Sequence, residues 1–296
     1  MKAQSATLPD GRVHFRHGPI DIILQVDATA SVSSERAVRI AWQRFQNVLE
    51  ELCSELPLLR SPETAKWARL QGPIAKRMTV AVSSLDTFIT PMAAVAGAVA
   101  DELRDLMCKE TQICRAIVNN GGDVSLYLAP GQECRIGLVS IPEAGLSGST
   151  LRISADDEIQ GVATSGWRGR SHSLGIADAV TVAAADCATA DAAATIIANT
   201  IDLPGHPSVR RSPASQLSPD SDLGDLLVTV DVSPLSAADA KMALSRGWSF
   251  ATELVARGAI HSAAMSLCGE SMVADHLGQG RTFRHLADPS LRIPRI

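Results

Sequence analysis

The sequence predicts an α+β fold: a single domain with a mostly antiparallel sheet and packed helices. Three observations carry that expectation. Val- and Ile-rich strand runs follow one another without strict strand–helix alternation, which disfavours a parallel βαβ array. Other segments repeat apolar residues at helical spacing. No composition break divides the 296 residues, a length that one core can still serve. The domain is therefore placed over 1–296, with 1–17 and 277–296 as terminal extensions.

The elements follow in order. "PIDIILQV" (19–26) reads as a strand. Residues 33–56 read as a helix, with a Ser N-cap, Glu35 in the first turn, and Val38, Ile40, Ala41, Phe45, Val48 and Leu49 on one face. A Pro- and Lys-bearing connector leads to a second helix at 90–107. "CRAIVNN" and "DVSLYLA" are strands flanking Gly121–Gly122, and "CRIGLVS", 149–154 and 161–166 continue the β pattern. A strand at 177–186 feeds a helix at about 188–200. The Pro-, Ser- and Asp-rich stretch 204–225 is the clearest loop. A strand (226–232), a helix (236–258) and a strand (259–269) close the series.

Composition narrows the function. Aromatics make up only 3% of the chain, so small aliphatic residues must fill the core and elements must approach closely. A net charge of −5 without a basic stripe argues against a nucleic-acid partner. Six cysteines without a C-x-x-C pair fit a reduced compartment. The N-terminus lacks a signal-peptide pattern, and no run of about 18 apolar residues occurs. A cytoplasmic protein without membrane contact is expected, and association of copies stays open. Zincin, nucleophile-elbow, P-loop and dinucleotide motifs are all missing.

Three stretches can carry chemistry. "IVNNGGDVSLYL" places Asn119, Gly121, Gly122 and Asp123 between two strands. Glycines let a ligand approach the backbone, but on spacing alone a tight hairpin turn is the simpler reading. "VATSGWRGRSHSLGIAD" holds Thr164, Ser165, Gly166 and two arginines, Arg168 and Arg170, all suited to phosphate oxygens. It also holds His172, a candidate general acid or base; a solvated glycine loop is the alternative. In "ADCATADAAATIIANT", Cys187, Asp191 and Thr195 share a helix face at four-residue spacing. A carboxylate and a hydroxyl one turn apart suit Mg²⁺. An ordinary capped helix, with Thr189 as N-cap and Asp191 favoured by the dipole, suits the pattern too. Asp186 reads as a cap or turn residue.

Taken together, these stretches resemble the ApbE-like superfamily, the fold of the FAD:protein FMN transferases. "TPMAAVAGAVADEL" is similar to that family's G-x-x-x-D helix start through Gly97 and Asp101. "VNNGGDVSLYL" is similar to its N-x-G-G-[DE] hairpin, and "ATSG…H" to its serine-glycine loop. "ADAAAT" matches its closing A-D-A-x-A-T helix through Ala190, Asp191, Ala192, Ala194 and Thr195. The matches span about 90–200. Two departures place the chain in a divergent branch: Ala96 stands where the transferases carry lysine, and "SLGIAD" follows His172 in place of D-P-x-T-G.

The resemblance implies Mg²⁺ on Asp191 and Thr195, against the pyrophosphate of FAD. It implies FAD or a related nucleotide near Asn119, Gly121, Gly122, Thr164, Ser165, Gly166 and Arg168, with His172 or Asp123 accepting a proton. The expected activity is transfer of FMN to a hydroxyl of a flavoprotein acceptor. A non-catalytic binding or assembly protein, or an enzyme for another small substrate in the same cleft, are the other expectations.

Overall fold

A computed structural model describes residues 2–83, 85, 87–110, 112–137, 150–275 and 283–284. The expected strand tip at 138–140 and, apart from 283–284, the C-terminal extension lie outside these residues. The chain forms an α+β structure around a nine-stranded sheet whose every neighbouring pair is antiparallel.

The sheet begins with β1 (Gln4–Thr7), β2 (Val13–His17) and β3 (Ile20–Ala28). It continues through β4 (Ile113–Asn120), β5 (Asp123–Leu128), β8 (Gly161–Ser165) and β9 (Ala179–Ala184), and ends with β12 (Ser262–Leu267) and β13 (Glu270–Asp275). Within the expected extension 1–17, Gln4–Thr7 and Val13–His17 are strands of this sheet. Phe15 alternates inward on β2 and is fully buried, so the strand is held by its own apolar residue as well as by the ladder to β3.

Four long helices cover one face in chain order. α1 (Ser31–Ser54) lies on β2 and β3, and α5 (Val95–Glu110) on β4 and β5. α6 (Cys187–Thr200) lies on β8 and β9, and α8 (Ala237–Ala256) on β12 and β13. Between α1 and α5, the single turns α2 (Leu56–Leu59) and α3 (Thr64–Trp67) precede α4 (Pro73–Ser83), which packs on α5 and α6 from outside. α4 replaces part of the expected connector. Its buried Ile74, Ala75, Met78, Ala81 and Val82 form a helical stripe, and Pro73 suits its first position. α1 starts two residues earlier than expected: Ala30 is its N-cap, without a side-chain bond, and Glu35 falls beyond the first turn.

On the opposite face, β6 (Glu133–Gly137), β7 (Thr150–Ser154) and β14 (Phe283–Arg284) form a small sheet. Leu151 and Ile153 pack there on Val124, Leu126 and Val162. Strand alternation decides which residue serves which side: Ser125, between Val124 and Leu126, faces α5 and donates to Asp101. The expected loop 204–225 contains β10 (Val209–Pro213) and the single turn α7 (Ala214–Leu217). β10 pairs with β11 (Leu227–Val232), so the stretch is a folded flap, not an open loop.

α6 explains the scarcity of aromatics. Protein surrounds it, and nine of its fourteen residues are buried, six of them alanines. A Cβ on Gly97 would stand 2.3 Å from the Cys187 carbonyl oxygen, so only glycine lets α5 approach so closely. Asp186 caps α6 by accepting from the Thr189 N–H at 2.8 Å. The expected cap at Thr189 is therefore corrected: an aspartate three residues earlier reaches that donor first. No helix among the described residues is long and apolar enough to cross a membrane.

Candidate functional site

The outward stripe of α6 lines a cavity of about 370 Å³, within the range of small-molecule sites. Asp191, Thr195 and Asn199 come from that stripe, Asp123 from the start of β5, and Arg170, Ser171 and His172 from the β8–β9 loop. Met92 and Ala96 belong to the entry of α5, and Phe88 to the segment before it. The flap contributes Ser218, Ser221, Asp222 and Leu223.

Local sequence explains these placements. The β4–β5 turn needs its glycines because Gly121 has φ 67° and Gly122 φ 119°, both unfavourable for other residues. The Asn119 side-chain oxygen accepts from the Gly122 N–H at 2.9 Å and closes the turn. Asn120 donates to the Ala96 carbonyl at 3.0 Å and ties the hairpin to α5. Asp123 then sits at the cavity, accepting from the Thr164 N–H at 3.3 Å. Asn199 accepts from the Leu174 N–H at 3.0 Å and from the Ser173 hydroxyl at 3.3 Å, which fixes the His172 loop on α6.

The structure brings together five of the expected residues: Asp123, Arg170, His172, Asp191 and Thr195. The other seven stand around this wall rather than in it. Asn119, Gly121 and Gly122 form the turn, and Thr164, sharing a hydroxyl contact with Thr181 at 2.9 Å, leads through Ser165 into Gly166. Arg168 donates to Asp178 at 2.8 Å and lies over the Trp167 ring at 4.6 Å. Cys187, on the Asp191 face by spacing, is fully buried behind the cavity, where burial pushes its thiol up.

Asp101 also stands outside the cavity. It accepts from the Ser125 hydroxyl at 2.6 Å and from the N–H groups of Cys187 and Ala188 at 3.0 Å each, and pairs with Arg104 at 3.2 Å. It is an anchor for the N-terminus of α6. Sequence reading missed Asn199, although it continues the four-residue spacing of Asp191 and Thr195. Asp222 and its donor Thr90 carried no signal, because the flap joins them across 132 positions.

The charge pattern separates this site from ordinary packing. Burial raises the Asp123 carboxyl to about 7, against the Thr164 N–H and the Arg170 charge, which pull it down. Asp191 rises well above the carboxylate range, first from burial and then from the Asp123 charge, while the N–H groups of Gly97 (3.0 Å) and Ala96 oppose the rise. Both residues are half-buried and line a half-open cavity, so water screens them in part.

Among the described residues, no three His, Cys, Asp or Glu side chains gather as a protein-only metal site. Two carboxylates and a hydroxyl fit a hard cation of the Mg²⁺ type instead, because such ions keep waters and take ligand phosphates to complete their shell.

A family profile described as "AbpE bacteria" matches residues 5–273, and the chain belongs to that family. Its curated relatives are UPF0280 proteins. One from Methanothermobacter thermautotrophicus is 38% identical over 136 residues, 45% of this chain and 51% of that protein. One from Methanopyrus kandleri is 36% identical over 183 residues, 60% and 69% of the two chains. One from Methanocorpusculum labreanum is 33% identical over 189 residues, 64% and 77%. The match thus spans about half the length of the first relative and more of the other two. The crystal structure of the Pseudomonas stutzeri flavinyl transferase ApbE, in its apo form, aligns with 95% of this chain and 96% of its own at 13% identity and a TM-score of 0.40. That likeness is too loose to bear on the site.

Proposed function

We propose that the cavity binds FAD, or a closely related dinucleotide, together with Mg²⁺, and transfers the FMN moiety to a protein hydroxyl. The observation that carries this reading is the convergence of Asp123, Asp191, Thr195 and His172 on one cavity in a chain of this family. Asp191 and Thr195 would hold the cation, which, when bound, offsets the charge of a diphosphate and of the phosphorus under attack.

The chain's own residues do the rest. An acceptor threonine hydroxyl forms the new P–O bond to the FMN phosphorus, the bridging P–O bond breaks, and AMP leaves with the bond's electrons. The hydroxyl proton passes to the Asp123 carboxylate or to the His172 ring. A carboxyl raised to about 7 is matched to proton transfer near neutral pH. The flap with Leu223 and the Phe88 side chain narrow the entrance and limit water. The reading places one soluble cytoplasmic domain beside a flavoprotein acceptor.

A second reading has its own observation. Ala96 presents only a methyl group to the cavity where the resemblance expects a lysine amine, which favours binding without turnover. Incubation with FAD and MgCl₂, with and without candidate flavoproteins, separates the two. Transfer predicts AMP release and flavin fluorescence on the acceptor in a denaturing gel. FAD binding with neither product overturns transfer and leaves the binding protein.

A further inference from the structure

Arg170 lines the cavity two residues before His172. Its neighbour Arg168 commits its guanidinium to Asp178 and the Trp167 ring. Arg170 makes no hydrogen bond or ion pair within the chain among the described residues. It comes near enough to Asp123 to influence that carboxylate, yet stays beyond ion-pair distance.

The path of this side chain is built into the hairpin turn. A Cβ on Gly121 would stand 2.0 Å from the Arg170 Nη2 atom and 3.2 Å from Cζ. Gly122, by contrast, has open space around it. Gly122 answers to backbone conformation alone, whereas Gly121 also clears the way for a guanidinium crossing the turn. A guanidinium is thereby set in the wall of a cavity that two carboxylates also line, with its N–H donors unspent.

That arrangement selects its ligand. Arg170 favours an anion, whereas Asp123 and Asp191, once ionised, favour a cation. A diphosphate with a divalent cation satisfies both walls. A planar guanidinium fork also suits phosphate oxygens better than an ammonium group does. We propose that Arg170 is the anion clamp of the cavity, gripping phosphate oxygens of a diphosphate ester while other oxygens of the same group complete the shell of a cation at Asp191 and Thr195. The proposal rests on the reading of this cavity as a Mg²⁺-diphosphate site, and not on FMN transfer.

Calorimetric titration with inorganic pyrophosphate tests it, because that probe carries neither flavin nor nucleoside. Wild-type protein binds pyrophosphate with MgCl₂ present and loses it with EDTA. Arg170→Ala weakens that binding roughly ten- to a hundredfold, as expected for a charge-assisted bond, and Arg170→Lys recovers part of the loss. Arg210→Ala, which removes an exposed arginine on β10, leaves the affinity within about twofold, as expected for a charge remote from the site. Thermal melting of Arg170→Ala like wild type shows that the loss belongs to the site. Absence of pyrophosphate binding by wild type, unchanged binding in Arg170→Ala, or a larger loss in Arg168→Ala would each overturn the proposal. AMP release without pyrophosphate binding would sink the clamp alone; pyrophosphate binding without AMP release would sink the transfer alone.

Discussion

Asp101 on α5, fully buried, and Asp191 on α6, half-buried, stand on facing helices, and their surroundings could hardly differ more. Asp101 is fully enclosed and has every need met: a hydroxyl, two backbone N–H groups and the Arg104 guanidinium. Asp191 receives the backbone N–H groups of Gly97 and Ala96, faces a second carboxylate, and has no cationic side chain paired with it among the described residues. Burial raises both carboxyls, but around Asp101 Arg104 is the largest opposing influence, whereas around Asp191 Asp123 adds to the rise. A buried charge with complete partners is a structural device. One with no cationic partner, beside open space, is where the proposed cation would bind.

The largest effect that follows is on stability. Asp101→Ala takes the buried one of the two carboxylates from Arg104, which keeps only Asp105 at 2.7 Å, and leaves the first N–H groups of α6 and the Ser125 hydroxyl without their acceptor. It is expected to cost about 3–5 kcal/mol, the usual range for breaking a buried pair, read as a lowered midpoint in urea melts. Asp191→Asn removes repulsion instead, so its melt without metal matches or exceeds wild type. The same variant loses Mg²⁺-dependent FAD binding on the order of a hundredfold, as fits the loss of a charged contact. A stable Asp101→Ala, or an Asp191→Asn that binds like wild type, would erase the distinction between the two aspartates.

Proton linkage sharpens it next. Asp123 titrates near 7 in the folded protein against 3.8 ordinarily, and Asp191 is raised too. The folded state therefore holds more protons than the unfolded state between those values. Stability of the metal-free protein must fall as pH rises from about 4 through 7. With the partial exposure of both groups discounted, the loss is on the order of 1–2 kcal/mol, or roughly 2–6 °C in melting temperature. MgCl₂ should restore it above pH 7 and do little at pH 5. Melting temperatures across pH, with and without MgCl₂, read this directly; a flat profile would mean that the two carboxylates do not share a strained site.

How much of this was legible in the sequence follows from the range of the interactions. The α6 helix, the N-N-G-G-D turn and the antiparallel strand series rest on local periodicity and turn chemistry, and those are visible residue by residue. Asp191 and Thr195 gained their weight from the order of motifs along the chain. The role of Asp101 was invisible, because an N-cap provided by another helix leaves no mark near the helix it caps. Helix α4 was hidden by Pro73 and its basic start, although its apolar stripe was present. The flap went unseen because its Pro- and Ser-rich composition reads as loop, while Asp222 meets Thr90 only through tertiary folding. Arg168 and Arg170 both suit phosphate on paper, and the resemblance points to Arg168; Asp178 and Trp167 engage that residue, and Arg170 lines the cavity.

The smallest expected effect compares two threonines on α6. The Thr189 hydroxyl donates to Asp186 at 2.9 Å within the N-cap, whereas Thr195 lines the cavity. Valine replaces either with nearly the same volume and no hydroxyl. Thr189→Val should therefore cost about 1 kcal/mol of stability, the worth of an ordinary hydrogen bond, with no change in FAD affinity. Thr195→Val should melt like wild type and weaken Mg²⁺-dependent FAD binding roughly fivefold, the same energy expressed as affinity. Thr195→Ser, which keeps the hydroxyl, should recover the binding. If Thr195→Val changes the melt and not the affinity, the hydroxyl is a packing detail, and Asp191 would hold its cation with oxygens from the ligand and water alone.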